Sequence, residues 1–301
     1  MMITPRPLFP GARVALVSPA SPVPDSSRIE ASLACLRALH LDPVLYPSCT
    51  ASYGYLSGRD DLRAKDVMDA FLDDSVDGIF CIRGGYGVQR LLPLLDFEAI
   101  RSHPKWFAGY SDITALHIML NQACGLVTYH THMPSTEMYK GLDDYTDAYL
   151  RKALFGSLTG ELPGSSPASC LVPGTAEGIL TGGSLSLVSS SLGTPYEIDT
   201  KGKILFLEDV DEAPYRIDGM LNHLRLAGKF DDCAGILLGY FTDCAAKDPA
   251  KSLSLLEVFQ DLILPCGKPT VYGYTCGHSL PSMSLPLGAR ARLSDSSLTI
   301  L

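Results

Sequence analysis

Gly109-Tyr110-Ser111-Asp112 joins a short apolar run, Trp106-Phe-Ala-Gly109, to a stretch with helical spacing, Ile113 to Gln122. A serine on such a sharp strand-to-helix turn stands exposed, and the first N–H groups of the helix lie where they can stabilise an oxyanion. The common elbow is G-x-S-x-G, and Ile113 stands in place of its second glycine. By itself the segment also reads as a plain helix start, with Ser111 as N-cap and Asp112 in the first turn. Arg83-Gly84-Gly85-Tyr86-Gly87 likewise follows an apolar run and precedes a helical one. Its three glycines permit positive φ and a close backbone approach to a ligand. It matches neither G-x-x-x-x-G-K-[ST] nor G-x-G-x-x-G, so it is a turn or a loop of another kind. Adjacent loops of this sort could set the Gly85 N–H beside Ser111 as a second oxyanion donor.

A serine nucleophile needs a base, most often histidine, and a group that orients it. The chain has seven histidines. His40, His103 and His117 lie on or beside helical stretches and read as surface or packing residues, and His223 belongs to the helix beginning near Arg216. His130 and His132 have the i, i+2 spacing of a metal pair. No nearby cysteine or carboxylate completes such a site, so no metal is expected. His278 is different: Gly277-His278-Ser279 opens a proline-containing loop after the strand-like Val271-Tyr-Gly-Tyr-Thr275, a common place for a catalytic side chain. Glu208 closes the apolar run Ile204-Leu-Phe-Leu207, and a carboxylate at a strand end can orient an imidazole. Asp209 competes for that role, and a solvated acidic turn is the plainer alternative.

The elements that must position these residues alternate. In the first half, strand patterns at Arg13–Val17, Pro43–Tyr46, Gly78–Ile82 and Trp106–Gly109 are separated by helical patterns at Ser27–Leu39, Asp60–Leu72, Val88–Leu95 with Phe97–Ile100, and Ile113–Gln122. That alternation predicts β-α-β units around a parallel sheet, with the site off the carboxyl ends of its strands. Glycine, serine and proline between Tyr145 and Thr175 suggest a linker. The second half reads as a smaller α+β domain, with strands at 178–183, 203–208, 234–239 and 270–273 and helices at 216–226 and 253–262. The expected division is 1–150 for an N-terminal α/β domain, 151–174 for a linker and 175–301 for the C-terminal domain.

Composition bounds the partners. The chain has 301 residues, 46% hydrophobic and 19% charged, and a net charge of -9. It contains no Lys/Arg run, which argues against nucleic acid or an anionic membrane as partner. Nine scattered cysteines without a C-x-x-C pair fit reduced thiols, and no stretch reaches transmembrane length. A cytoplasmic protein is expected.

In order along the chain, Val14-Ala-Leu-Val-Ser-Pro-Ala-Ser21, Arg83-Gly-Gly-Tyr-Gly87, Gly109-Tyr-Ser-Asp-Ile-Thr-Ala-Leu116, Thr181-Gly-Gly-Ser-Leu185, Leu192-Gly-Thr-Pro-Tyr-Glu197, Leu205-Phe-Leu-Glu-Asp209, Ala213-Pro-Tyr-Arg-Ile-Asp218, Gly277-His278 and Leu285-Pro-Leu-Gly288 resemble the LD-carboxypeptidase family of serine peptidases. The resemblance spans nearly the whole chain. It implies a Rossmann-like or flavodoxin-like N-terminal domain and a triad split between two domains: Ser111 as nucleophile, His278 as base and Glu208 as acid. It places the oxyanion donors at the Gly85 and Asp112 N–H groups, with Arg83 a candidate for the substrate carboxylate. It implies no metal or organic cofactor, a homodimer, and a murein peptide substrate from which terminal D-alanine is released during cell-wall recycling. Ser184 departs from the family, where Gly-Asn is expected. A microcin C self-immunity type hydrolase, acting on peptidyl-nucleotide antibiotics, is an alternative on the same triad. So is a non-enzymatic α/β binding protein, which a fluorophosphonate probe would leave unlabelled.

Overall fold

Val14, Ala15, Leu16 and Val17 are all buried, so this strand is covered on both faces, as strands of a parallel sheet are. The computed structural model describes residues 2–301. The chain forms two compact units, one from the residues up to Ser157 with Ser284–Pro286, the other from Leu158–Met283 with Leu287–Leu301.

In the first unit β1 (Arg13–Val17), β2 (Asp42–Leu45), β3 (Gly78–Cys81), β4 (Trp106–Gly109) and β5 (Thr128–His130) lie in the order β2-β1-β3-β4-β5, every neighbour parallel. The strand β12 (Leu285–Leu287) extends this sheet beyond β5. Helices α1 (Ser26–Ala38), α2 (Asp60–Leu72), α3 (Phe97–Ser102) and α4 (Thr114–Gln122) fill the crossovers, and α5 (Asp144–Phe155) follows. The core is aromatic along β3 and β4: Trp106 packs on Phe80 and Tyr129 with ring centroids 4.9 and 5.1 Å apart. The strand order reverses at β1 and β3, and in open α/β sheets the crevice at such a reversal takes the ligand. The loop after β1 (Ser18 to Pro22) and the glycine loop after β3 meet there. Ser21 N–H donates to Gly84 O (3.4 Å), and Tyr86 N–H donates to Ser21 Oγ (3.1 Å).

Two local expectations differ from what is seen. Val88 to Leu95 is two single 3-10 turns, Val88–Arg90 and Leu92–Leu94. Pro93 has no N–H and its ring would strike the carbonyl four residues back, so a continuous helix cannot form. The segment read as a linker begins inside α5, capped by Asp143 Oδ1 on Thr146 N–H (3.0 Å), and carries two short strands.

The second unit is built on β6 (Gly160–Glu161), β7 (Ser169–Val172), β8 (Ala176–Ser184), β9 (Ile204–Val210), β10 (Gly235–Thr242), β11 (Thr270–Tyr272), β13 (Arg290–Ser294) and β14 (Ser297–Ile300). Their order is β6-β14-β13-β8-β9-β10-β11-β7. The central four are parallel and the flanks antiparallel. Helix α6 (Leu185–Ser190) leads from β8 to β9, α7 (Pro214–Leu226) with α8 (Lys229–Asp232) from β9 to β10, and α9 (Leu255–Leu262) from β10 to β11. Phe206, Leu207 and Leu237 are fully buried at its centre. The molecule is thus a mixed α/β protein with two sheets, the first mostly parallel. No helix among the described residues is long and apolar enough to cross a membrane.

Candidate active site

Ser111 leaves β4 through Tyr110 and begins a 3-10 turn, Ser111–Ile113, that runs into α4. It is not the N-cap; Tyr110 holds that position without a side-chain bond. Ser111 sits at φ +64°, in the left-handed region that a residue with a Cβ seldom adopts. Such a conformation costs roughly 1–3 kcal/mol and persists only where the surroundings impose it. Those surroundings can be named. His117, one turn into α4, is fully buried, with Nε2 2.9 Å from Gly109 O and Nδ1 2.8 Å from Thr128 Oγ1. Burial takes its pKa down to about 4, so the ring is neutral: Nε2–H donates to Gly109 and Nδ1 accepts from Thr128. Asn121 Nδ2 donates in turn to Thr128 Oγ1 (3.2 Å). Tyr110 O–H donates to Glu137 Oε1 (2.6 Å), and Thr136 Oγ1–H donates to Glu137 Oε2 (2.5 Å). Burial pushes the Glu137 carboxyl up, yet His132, Thr136 and Tyr110 together hold it below the usual range.

The glycine loop packs directly on this turn. A Cβ on Gly84 would stand 2.9 Å from Ser111 Cβ, and one on Gly85, at φ +121°, would overlap Ser21 Oγ. Only glycine lets the backbone come so near the serine. The neighbouring Arg83 is half-buried, with Nη1–H donating to Pro22 O (2.9 Å) and Nε–H to Gly84 O (3.2 Å). Burial, and then the charge of Arg28, lower its pKa.

The second unit brings Glu208 and His278 together. Glu208, at the carboxyl end of β9, is fully buried, and its Oε2 lies 2.6 Å from Nδ1 of His278, whose side chain is 12% exposed. An ionised carboxylate only accepts, so Nδ1 carries the proton and Nε2 of the neutral ring keeps its lone pair. Glu208 Oε1 is buried and has no hydrogen-bond partner among the described residues. The imidazole N–H is therefore the group that satisfies the buried carboxylate. The His278 loop is fastened to β10: Tyr240 N–H donates to Cys276 O (2.8 Å), and Thr242 Oγ1 lies 2.7 Å from Ser279 Oγ. Gly277, at φ +139°, cannot carry a side chain, since its Cβ would press within 3.2 Å of Glu208 Oε2. Asp209 is on the opposite face of the strand, where its carboxylate accepts from Ser186 N–H (2.7 Å) and Val210 N–H (2.8 Å). It does not compete for the histidine. Ser184 ends β8 in register with Glu208 and hydrogen-bonds Ser186 (3.1 Å).

Of the remaining histidines, His130 and His132 are buried against Tyr110, with ring centroids 5.6 and 6.0 Å away, and His132 Nδ1 faces Glu137 at 3.4 Å. No group of three or more metal-ligating side chains occurs among the described residues. Sequence reasoning missed Glu137, the role of His117, and Arg63, a fully buried arginine bonded to Gly87 O at 3.1 Å. Arg63 did carry a signal, because it shares the buried stripe of α2 with Val67, Ala70 and Phe71. Glu137 had none, as the partner that ties it to the nucleophile turn, Tyr110, is 27 residues away.

Known proteins match this chain over nearly its whole length. The family models for the LD-carboxypeptidase N-terminal and C-terminal domains match residues 14–131 and 177–293. The chain is 45% identical over 300 residues to a probable murein peptide carboxypeptidase of Bacillus subtilis, covering 98% of this chain and 92% of that one. A crystal structure of muramoyltetrapeptide carboxypeptidase from Oxalobacter formigenes superposes with a TM-score of 0.87 at 27% identity, over 96% and 98% of the two chains. An MccF-like protein from Bacillus anthracis superposes with a TM-score of 0.89 at 26% identity, over 99% of each.

Proposed function

Because the chain belongs to the LD-carboxypeptidase family and is a serine-type carboxypeptidase, we propose that it hydrolyses the L,D peptide bond that releases terminal D-alanine from murein tetrapeptides. The observation that carries this reading is the buried Glu208–His278 pair, in which the carboxylate fixes Nδ1 of an imidazole that can serve as the base a serine needs. In the reaction His278 Nε2 takes the proton as Ser111 Oγ attacks the carbonyl of the penultimate L-centre. The oxyanion accepts from the Gly85 and Asp112 N–H groups. The imidazolium then protonates the leaving amine, D-alanine departs, and water activated by His278 hydrolyses the seryl ester. Glu208 holds the tautomer and stabilises the imidazolium. Arg83, whose described bonds go to carbonyl oxygens and not to a carboxylate, is the partner for the carboxylate of the leaving residue. We assign the reaction to recycling of wall peptides in the cytoplasm, by a homodimer. Likeness to the MccF-like protein is one of fold and does not distinguish the substrates.

The test is mass spectrometry of a murein tetrapeptide digest together with fluorophosphonate labelling. Release of one D-alanine and a tag on Ser111 are expected. Turnover of a peptidyl nucleotide with the tetrapeptide left intact would transfer the assignment to the immunity hydrolases. A protein that is neither labelled nor active would be a binding module.

A further inference from the structure

An aspartate in the first turn of a helix commonly points at its own helix amides and stays in water. Asp112 does neither. Its side chain is buried, 2% exposed, and Oδ2 accepts from the N–H of Val88 at 2.9 Å, 24 residues earlier. The carbonyl of the same peptide group, Gly87 O, accepts from the buried Arg63 guanidinium at 3.1 Å. Arg63 is itself held by Pro19 O and by its ion pair with Asp60. The Gly87–Val88 peptide is thus gripped at both ends, by a carboxylate on the nucleophile turn and by an arginine from α2. At the other end of the glycine loop, Ser21 binds Gly84 O and Tyr86 N–H. Gly85 lies between these anchors.

We propose that the Asp112 side chain is a positioning residue for the oxyanion site, locking the glycine loop to the nucleophile turn so that the Gly85 and Asp112 amides keep one spacing. This rests on the serine-peptidase reading above. The bond ties together two loops that also pack against each other at Gly84 and Ser111. Burial pushes the Asp112 carboxyl up to about 7, against the opposing pull of the Val88 bond and Arg63. Both the acid and the carboxylate can accept from Val88, so asparagine keeps the link and alanine cuts it. The backbone N–H of residue 112 survives in either variant.

The experiment measures kcat and KM on a tetrapeptide ending in L-diamino acid–D-alanine, and the rate of fluorophosphonate labelling. Displacing an oxyanion donor costs about 10²–10³ in kcat. Asp112→Ala should lose that much in kcat and label correspondingly more slowly, with KM within about threefold. Asp112→Asn should recover kcat to within about tenfold of wild type. An alanine variant at wild-type kcat, or an asparagine variant as damaged as alanine, overturns the proposal. If the alanine protein does not fold, hydrogen exchange of the Val88 amide in the wild type and Asp112→Asn decides. Strong protection in both supports the link, and fast exchange in an active enzyme removes it. Absence of labelling and turnover in the wild type would instead defeat the serine-peptidase reading, and this inference with it.

Discussion

At the scale of single residues, a proton-transfer unit fails almost completely when any reacting member is lost. Ser111→Ala and His278→Ala should therefore each lower kcat by roughly 10⁴–10⁶, about as much as the double variant. Glu208→Gln should cost less, because it leaves both reacting atoms in place while weakening the tautomer and removing the charge beneath the ring. Steady-state kinetics check all three, and near-normal turnover of Ser111→Ala would end the serine mechanism. Activity should also survive exhaustive dialysis against EDTA. His130 and His132 are engaged with Tyr110 and Glu137, and the residues assigned to the reaction supply both base and electrophilic stabilisation without a Lewis acid. Restoration of a chelated, inactive protein by zinc would overturn that expectation. The candidate residues were legible in the sequence, since Ser111 follows β4, Glu208 lies toward the carboxyl end of β9 and His278 lies in the loop after β11. Their supports were not. A buried arginine, a neutral histidine and a glutamate paired across 27 residues are set by tertiary contacts that no local pattern encodes.

At the scale of elements, the turn after β4 and the helix α4 that continues it carry two buried groups with opposite titrations. His117 has a folded pKa of about 4 against about 6.5 unfolded, so between these values the unfolded chain binds the extra proton. Its contribution to stability is present above pH ~6.5 and is lost as pH falls toward 4. Asp112 has a folded value of about 7 against 3.8, so here the folded chain holds the extra proton. Its contribution is present below pH ~4 and is lost as pH rises toward 7. The two slopes oppose each other over one window. Asp112→Asn should expose the histidine, giving a stability that climbs from pH 4 to 6.5 more steeply than wild type. Urea unfolding at intervals across that range measures it, and identical slopes would show that one of the groups is not buried as described. Elements with a strict local period, such as β1, β3, β4 and α2, were readable from the sequence. The helix α5 escaped although Asp143 caps it, because its buried residues Thr146, Tyr149 and Leu150 include two with polar atoms. The hairpin β13–β14 escaped because short strands are defined by their partners.

At the scale of the whole molecule, the family resemblance outran the local patterns, since motifs dispersed from Val14 to Gly288 constrain one another in order. It leads to a stereochemical prediction. On the proposed assignment, Ser111 Oγ and the Gly85 and Asp112 amides would fix one face of attack on the scissile carbonyl. The rigid parts around them are real constraints, because Ser111 is held at positive φ and Gly84 is in contact with it. Inverting the acyl-side α-carbon exchanges its side chain and its hydrogen about that fixed carbonyl. If Arg83 holds the carboxylate of the leaving residue as proposed, a long diamino-acid side chain would then have to leave the place it occupies in the L,D substrate. Both requirements cannot be met at once, so the carbonyl shifts from the donors. A misplacement of about 1 Å costs roughly 10²-fold. A tetrapeptide ending in L-diamino acid–D-alanine should therefore exceed a pentapeptide ending in D-alanine–D-alanine by at least about that factor in kcat/KM, when both are supplied to the same preparation at equal concentration. Equal values would remove the L,D assignment and leave the serine chemistry standing. Selectivity that collapses in Arg83→Ala, with kcat for the tetrapeptide little changed and KM raised, would identify the arginine as the anchor against which the two stereocentres are compared.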